Sequence, residues 1–122
     1  MDPRKRYHSL MKAIVIQSTG EPPDMRIEEL DDPIPQPGEI TIRIRAAGLN
    51  RADLMQRRGL YPPPEGIDPA VPGLECAGEV EESLCNRFRP GDRVMALLPG
   101  EGDAQKVIGG EVAPARLREV FD

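Results

Sequence analysis

Residues 40–45 read Ile40-Thr41-Ile42-Arg43-Ile44-Arg45, and this stretch decides the fold class. Its isoleucines alternate with threonine and arginine, a period of two that is typical of a β-strand with one buried face and one face in water. Other short strands are predicted on both sides of it, separated by turns rich in glycine and proline, at 13–16, 26–30, 73–80, 93–98 and 104–108. We therefore predict a mainly β domain, a small barrel-like sheet without the strand–helix alternation of a parallel sheet.

Proline and glycine separate the predicted strands. Three prolines stand at alternate positions of residues 33–37, and proline has no amide donor for sheet pairing, so this segment is predicted to be an extended connector. Pro37-Gly38 suits the two central positions of a type II turn, and residues 90–92 mark another turn. The proline-rich segment 60–72 is predicted to be a stiff loop.

One short helix is predicted after the strand that contains residues 40–45. Asn50 suits its N-cap position, and Asp53 three residues later suits a capping box. Good helix formers follow, and Gly59 is suited to end the helix. A second helix is predicted in the tail behind Pro114, because proline is favoured in the first helical turn and apolar side chains recur there at helical spacing, namely Leu117, Val120 and Phe121.

Length and charge exclude several classes of protein. The 122 residues suit one domain, and 16 lysines and arginines against 21 acidic residues give a net charge of −5. This acidic balance argues against binding to nucleic acid or to an anionic membrane surface. No apolar run approaches the roughly 20 residues of a membrane-spanning helix, and no apolar export signal follows the basic residues near the N-terminus. We therefore predict a cytoplasmic protein, with residues 1–10 as an N-terminal extension.

Residue spacing indicates neither a metal site nor a nucleotide site. Cys76 and Cys85 are predicted to be reduced thiols, and their spacing matches no usual zinc pattern. The only histidine, His8, lies in the N-terminal extension. Gly100-Glu101-Gly102 begins like a dinucleotide-binding loop, but Gln105 replaces the third glycine and no strand-to-helix transition is predicted around it. We therefore expect no metal site and no Rossmann domain in this chain.

Four motifs occur in order and at consistent intervals: Ala46-Ala47-Gly48-Leu49-Asn50-Arg51-Ala52-Asp53, Arg58-Gly59-Leu60-Tyr61-Pro62, Val71-Pro72-Gly73-Leu74-Glu75-Cys76-Ala77-Gly78-Glu79-Val80 and Pro90-Gly91-Asp92-Arg93-Val94-Met95-Ala96-Leu97. Together they resemble the N-terminal GroES-like domain of medium-chain dehydrogenases/reductases, in the zinc-independent quinone oxidoreductase family of the p53-inducible type. The likeness covers residues 11–108, and residues 109–122 form a divergent tail. The resemblance implies a GroES-like, partly open β-barrel with one or two short helices.

The resemblance also implies a chemistry. Members of this family transfer a hydride from NADPH to quinones or enones. Asn50 and Leu74 stand where the zinc alcohol dehydrogenases of the superfamily have cysteine and histidine ligands, so the resemblance implies no zinc. By the same resemblance, Asn50 and Asp53 are candidates for cofactor binding, and Tyr61 is the candidate catalytic residue that would contact the quinone.

Each candidate also has a purely structural interpretation. Asn50 and Asp53 suit a helix cap, Tyr61 suits a half-buried aromatic residue with its hydroxyl in water, and Glu75 is expected to hold the neighbouring glycine-lined bend. In the family a Rossmann domain holds the nucleotide, and because this chain shows none, we expect an inactive, truncated form of such a reductase. The alternative is a non-enzymatic GroES-like module that associates with itself as a homo-oligomer or with another subunit.

Overall fold

The computed structural model describes residues 9–110 and 114–116. Residues 1–8 of the predicted extension, and Leu117, Val120 and Phe121 of the predicted tail helix, lie outside the described residues. The described part contains seven β-strands and one α-helix, which are β1 (Leu10–Ser18), β2 (Asp24–Asp31), β3 (Ile40–Ala47), α1 (Arg51–Gln56), β4 (Glu75–Ser83), β5 (Arg93–Leu97), β6 (Lys106–Gly109) and β7 (Pro114–Arg116).

The strands form two open antiparallel sheets. β1 pairs with β2, and a five-stranded sheet has the order β6-β3-β4-β5-β7. Backbone hydrogen bonds join the two sheets, because Ile14 N–H donates to the Asp103 carbonyl at 2.8 Å and Gln105 N–H donates to the Lys12 carbonyl at 3.0 Å. Neither sheet closes on itself within the described residues. The prediction of a mainly β, partly open fold with one or two short helices is confirmed.

The isoleucines of β3 lie at the centre of the main core. Ile40 and Ile42 are 1% and 0% exposed, whereas Arg43 is exposed, as the alternation predicts. Thr41 is different, since it was expected in water and is only 2% exposed. The pairing register of β3 with β4 shifts between Thr41 and Ile42. The extra residue at this β-bulge is Glu81 of β4, so the bulge does not turn Thr41. The burial of Thr41 shows instead that the second face of β3 is covered at this end of the strand, which a simple period of two does not include.

Two hydrophobic clusters hold the fold together. The smaller cluster joins β1 to the loop 60–72 through Ala13, Val15 and Val71. Residues 60–72 contain neither helix nor strand, as predicted. The larger cluster is built from the five-stranded sheet and the segments beside it, and it contains Ile40, Ile42, Cys76, Val80, Phe88, Val94, Ala96, Leu98 and Val107.

The predicted turn chemistry is confirmed at both proline–glycine pairs. Glu39 N–H donates to the Gln36 carbonyl at 2.9 Å around Pro37-Gly38, and Asp92 N–H donates to the Arg89 carbonyl at 3.0 Å around residues 90–91. Gly38 and Gly91 have φ values of 86° and 93°. The third residue of a type II turn requires such a positive φ, which glycine adopts without steric cost.

Residues 114–116 form a strand, so the predicted helix behind Pro114 is wrong over these residues. Pro114 is fully buried, and a Cβ added to Gly109 would lie 2.9 Å from its Cγ. Proline is tolerated at the first residue of an edge strand, where no ladder amide is needed. Arg116 then places its guanidinium 5.2 Å from the centre of the Phe88 ring and 3.3 Å from the Asp92 carboxylate. Tertiary packing therefore overrides the local helix preference of proline.

A cluster of charges joins β3, β4, β6 and the segment after β2. Lys106 Nζ lies 2.7 Å from the Asp32 carboxylate and 3.1 Å from that of Glu81, and Arg43 also binds Glu81 at 2.7 Å. Partial burial opposes ionisation of Glu81, but the hydrogen bonds from Arg43 and Lys106 outweigh it, so the pKa of Glu81 lies below its ordinary value of 4.5. The ionised form of Glu81 therefore stabilises the fold.

We predict that Glu81→Gln lowers the free energy of unfolding by about 1 kcal/mol or less at pH 7, since the pair is partly solvated. Because the pKa of Glu81 is lowered in the folded state, ionised Glu81 stabilises the fold at pH values above its ordinary pKa. This contribution is lost as the pH falls through the pKa of Glu81 in the folded state. Urea unfolding of both proteins should therefore show a difference that shrinks as the pH falls from about 5 to about 3. Exposed Glu82 serves as the control, because Glu82→Gln should leave stability nearly unchanged throughout. A difference for Glu81→Gln that persists in acid would contradict this account.

Gly78 permits β3 and β4 to approach each other closely. Gly78 pairs with Ile44 and with Val94 in the two ladders that it joins. A Cβ added to Gly78 would overlap the carbonyl oxygen of Arg43, which is a backbone atom. A backbone atom in a paired strand cannot move aside as the end of a flexible side chain can.

We predict that Gly78→Ala destabilises the domain by about 3 kcal/mol, at the upper end of overpacking effects. Gly110→Ala is the matched control, since a Cβ added to Gly110 has nothing within 4 Å. Guanidinium unfolding followed by circular dichroism measures both variants. Equal stability of the two variants would show that β3 and β4 separate at little cost.

Candidate functional site

The polar candidate residues meet at the start of α1. Asn50 is the N-cap, in an extended conformation with φ −124° and ψ 153°. The Asp53 carboxylate accepts a hydrogen bond from Asn50 N–H at 2.9 Å, and Asp53 N–H donates to the Asn50 carbonyl oxygen at 3.0 Å. The predicted capping box is therefore present, and it holds the two candidate cofactor-binding residues together.

Three polar atoms of this region are buried without a hydrogen-bond partner in the described part of the chain. They are Nδ2 of Asn50, Oδ1 of Asp53 and Nε of Arg57. An unpaired buried donor or acceptor costs about 1–3 kcal/mol, and native structures keep few of them. The cap therefore contains a donor at Asn50 and an acceptor at Asp53 whose hydrogen-bonding capacity is unused in the described residues.

Two carboxylates lie close enough to interact next to α1. Burial raises the pKa of Asp103, and the negative charge of Asp53 raises it further. Asp103 is fixed through its backbone, because its N–H donates to the Pro72 carbonyl at 2.8 Å. Gln56, which is 4% exposed, donates to the Pro69 carbonyl at 3.0 Å and ties α1 to the loop 60–72. Asp53 and Asp103 therefore place two interacting carboxylates beside the cap, and the guanidinium of Arg57 lies in the same region.

Tyr61 lies at the other end of α1. It follows Leu60, whose N–H donates to the Met55 carbonyl at 2.9 Å, whereas Asn50 precedes the helix. Six helical residues span about 9 Å. Tyr61 is 44% exposed, and within the described residues its hydroxyl makes no hydrogen bond to Asn50 or Asp53. The structure therefore brings Asn50 and Asp53 together and leaves Tyr61 apart from them.

A groove of about 560 Å³ lies on the outer face of the five-stranded sheet, next to the β3–α1 loop. Directly paired residues of antiparallel strands point to the same face, and residues two apart on one strand share that face. Two rows that cross β3, β4 and β5 line the groove, the first consisting of Ala46, Ala77 and Met95 and the second of Gly48, Glu75 and Leu97. The small side chains of Ala46 and Ala77 make the floor of the groove flat. Gly48, which also lines the groove, lies two residues before Asn50.

Glu75 is the charged residue that lines this groove. Its side chain lies against Gly48, since a Cβ added to Gly48 would come within 2.6 Å of the Glu75 Cδ. Glu79, further along β4, is paired with Arg45 at 3.6 Å. Glu75 forms no such ion pair within residues 9–110 and 114–116.

Sequence reasoning missed the groove. Met95 and Leu97 are 40% and 71% exposed, and the prediction of a strand over residues 93–98 does not include this open apolar face. The signal was that both faces of this strand are apolar, because Val94 and Ala96 alternate with Met95 and Leu97. A strand of that kind has either two covered faces or one apolar face open for contact.

The two cysteines are free thiols in different surroundings. Burial raises the pKa of Cys76 to about 11, so this thiol is an unreactive part of the core. Cys85 is half-buried, and its Sγ accepts a hydrogen bond from Arg87 N–H at 3.4 Å.

In the described part of the chain, no three His, Cys, Asp or Glu side chains gather in a way that would hold a metal ion. The described helix is too short to cross a membrane.

Residues 36–115 match the family model of the alcohol dehydrogenase GroES-like domain. Among curated proteins, the mouse synaptic vesicle membrane protein VAT-1 homolog-like is 42% identical over 91 residues, which cover 72% of this chain and 21% of that protein. Acryloyl-coenzyme A reductase of Metallosphaera sedula is 40% identical over 90 residues, which cover 72% of this chain and 26% of the enzyme. The chain thus spans about a fifth to a quarter of the length of these relatives.

Solved structures share the fold. The human VAT-1 homolog-like protein has a TM-score of 0.71 and 32% identity over 88% of this chain and 35% of its own. The quinone oxidoreductase of Coxiella burnetii has a TM-score of 0.75 and 25% identity over 88% of this chain and 37% of its own. The matched span of 80 residues contains all four motifs, so the chain belongs to the alcohol dehydrogenase GroES-like domain family of medium-chain oxidoreductases.

Proposed function

We propose that this domain supplies the acceptor side of an NAD(P)H-dependent reductase, in which a hydride passes to a quinone or an enone without zinc. Two relatives support this class of acceptor, since one is named a quinone oxidoreductase and another an acryloyl-coenzyme A reductase. Quinones and acryloyl groups share a carbon–carbon double bond conjugated to a carbonyl. The charge formed on hydride addition spreads over such a system, so it needs less help than an alkoxide.

The observation that carries the proposal is the buried amide of Asn50. Its Nδ2 has no acceptor in the described residues, and Gly48, two residues earlier, lines the groove. An N–H donor that faces a carbonyl oxygen would gain the hydrogen bond that it lacks and would stabilise negative charge on that oxygen. A carboxamide or a quinone oxygen is a suitable acceptor.

The chemistry of the donor set favours a reaction without zinc. Zinc in proteins binds thiolate, imidazole and carboxylate, and positions 50 and 74 carry an amide and an aliphatic side chain. Alcohol oxidation needs a Lewis acid to stabilise the alkoxide, whereas a conjugated carbonyl delocalises the charge. Asn50 and Leu74 therefore suit quinone or enone reduction better than alcohol oxidation.

The residues of the cap fit the nicotinamide end of the cofactor. NAD(P)H would supply the hydride. Asn50 Nδ2 would donate to a carboxamide oxygen, and Asp53 Oδ1, an unpaired acceptor, would accept from a carboxamide N–H. Tyr61, half-exposed on the loop after α1, stays the candidate that the resemblance gives for contact with the acceptor, although it does not line the groove. In this scheme the flat floor of the groove receives the acceptor ring. We further propose a cytoplasmic site of action, and small-molecule partners rather than nucleic acid or a membrane, against which the net charge of −5 argues.

We predict that Asn50→Ser separates ligand binding from helix capping. Serine caps helices as well as asparagine does and removes the unpaired buried donor, so the free energy of unfolding should stay the same or rise by up to about 3 kcal/mol. The amide donor is lost, so affinity for reduced nicotinamide mononucleotide should fall by about fivefold or more. This probe lacks the adenylate half, and NMR titration of the wild-type chain should shift the Asn50 side-chain amide. Equal affinity of the two proteins would leave Asn50 as a cap alone.

We predict no NADPH-driven reduction of menadione by the purified chain above the rate without protein. The sequence has no complete glycine-rich loop to hold a pyrophosphate. Turnover that follows the protein through purification would contradict this prediction.

A second candidate is the non-enzymatic, self-associating module, which the exposure of Leu49 and Leu97, 90% and 71%, favours. Light scattering at micromolar concentration decides this alternative. A monomer counts against the module, and a defined oligomer supports it.

A further inference from the structure

Glu75 gives the groove a charge preference that its apolar floor does not have. The two rows of residues across β3, β4 and β5 contribute methyl groups and backbone, and the walls are formed by Met95 and Leu97. Three neighbouring strands are about 10 Å wide. A floor of that width fits a flat ring system of two fused rings, and the volume of about 560 Å³ is in the range of small-molecule sites.

The charges on either side of the floor are not equivalent. Beyond the first row, Glu79 is neutralised by Arg45 at 3.6 Å. In the second row, Glu75 lies between Gly48 and Leu97 without an ion pair in the described residues. No lysine or arginine lines the groove. Glu75 is therefore the charge nearest to a ligand on the floor, because Glu79, Arg45 and Arg93 lie beyond the first row.

We propose that the groove binds a flat, apolar ring system and that Glu75 selects against ligands with a negative charge. The inference rests on the proposed function, because it takes the groove to be the site of the acceptor ring. It adds the charge class of the ligand, neutral or positive, and the residue that determines it. Attraction or repulsion of unit charges near the surface is modest after screening by water and salt, so the expected selectivity is about threefold.

Three probes with one ring and three charges test the proposal, namely 2-naphthol, 2-naphthylmethylammonium and naphthalene-2-sulfonate. Affinities are measured by NMR through the Met95 methyl signal of the full chain at low salt. The sulfonate should bind about threefold more weakly than 2-naphthol, and the ammonium should bind at least as tightly as 2-naphthol. The difference should shrink as salt is added.

Two variants assign the effect to Glu75. Glu75→Gln should bring the affinity for the sulfonate to within about twofold of that for 2-naphthol, with the affinity for 2-naphthol unchanged. Glu82→Gln is the matched control, because Glu82 is exposed on the same strand, about 23 Å away at 3.3 Å per residue. Gly48→Ala should act in the direction of Glu75→Gln at unchanged net charge, because an added Cβ would displace the flexible end of Glu75.

The outcomes separate this inference from the proposed function. Equal affinities for all three probes, or no effect of Glu75→Gln, would overturn the charge selection while leaving the nicotinamide titration at Asn50 untouched. A Met95 signal that no probe shifts would overturn the inference. A signal that moves only with protein concentration would also overturn it and would show that a second copy of the chain covers the groove.

Discussion

The antiparallel pairing of β3 with β4 is the contact on which both the core and the groove depend. Its register shifts twice, between Thr41 and Ile42 and between Ile44 and Ala46. A strict period of two would put Ile44 and Ala46 on one face of the strand. The second shift leaves Arg45 as the extra residue, so Ile44 packs against the core while Ala46 faces the groove. β3 therefore contributes side chains both to the core and to the groove.

The features predicted correctly from the sequence are those that local chemistry decides. The turn at Pro37-Gly38 needs a fixed φ followed by a positive φ, and proline and glycine supply these in order. The cap at Asn50 and Asp53 needs a short polar side chain followed by a carboxylate three residues later. The strand around residues 40–44 needs alternation over a few residues. The family followed from the motifs rather than from any of these patterns.

The features that the sequence did not predict depend on partners far along the chain. Thr41 is buried because other parts of the chain cover the second face of β3 at its start, and Pro114 lies in a strand because its ring is buried near Gly109. The groove requires the register of three strands, since Ala46, Ala77 and Met95 form a row only when β3, β4 and β5 are aligned. The pattern of residues within one strand does not predict how β3, β4 and β5 align with one another.

Asparagine at position 50 is relevant to whether the N-cap also binds a ligand. Serine or threonine at an N-cap would also serve the helix amides, and neither carries an NH₂ group to bury. Asn50 does carry one, and its Nδ2 is buried without an acceptor in the described residues. The cost of about 1–3 kcal/mol is a large part of the 5–15 kcal/mol that stabilises an ordinary domain. A cap alone gains nothing from that donor, whereas a site that must bind a carbonyl oxygen does. The unpaired amide of Asn50 therefore supports the ligand role that we propose for it, in addition to the helix cap that it forms.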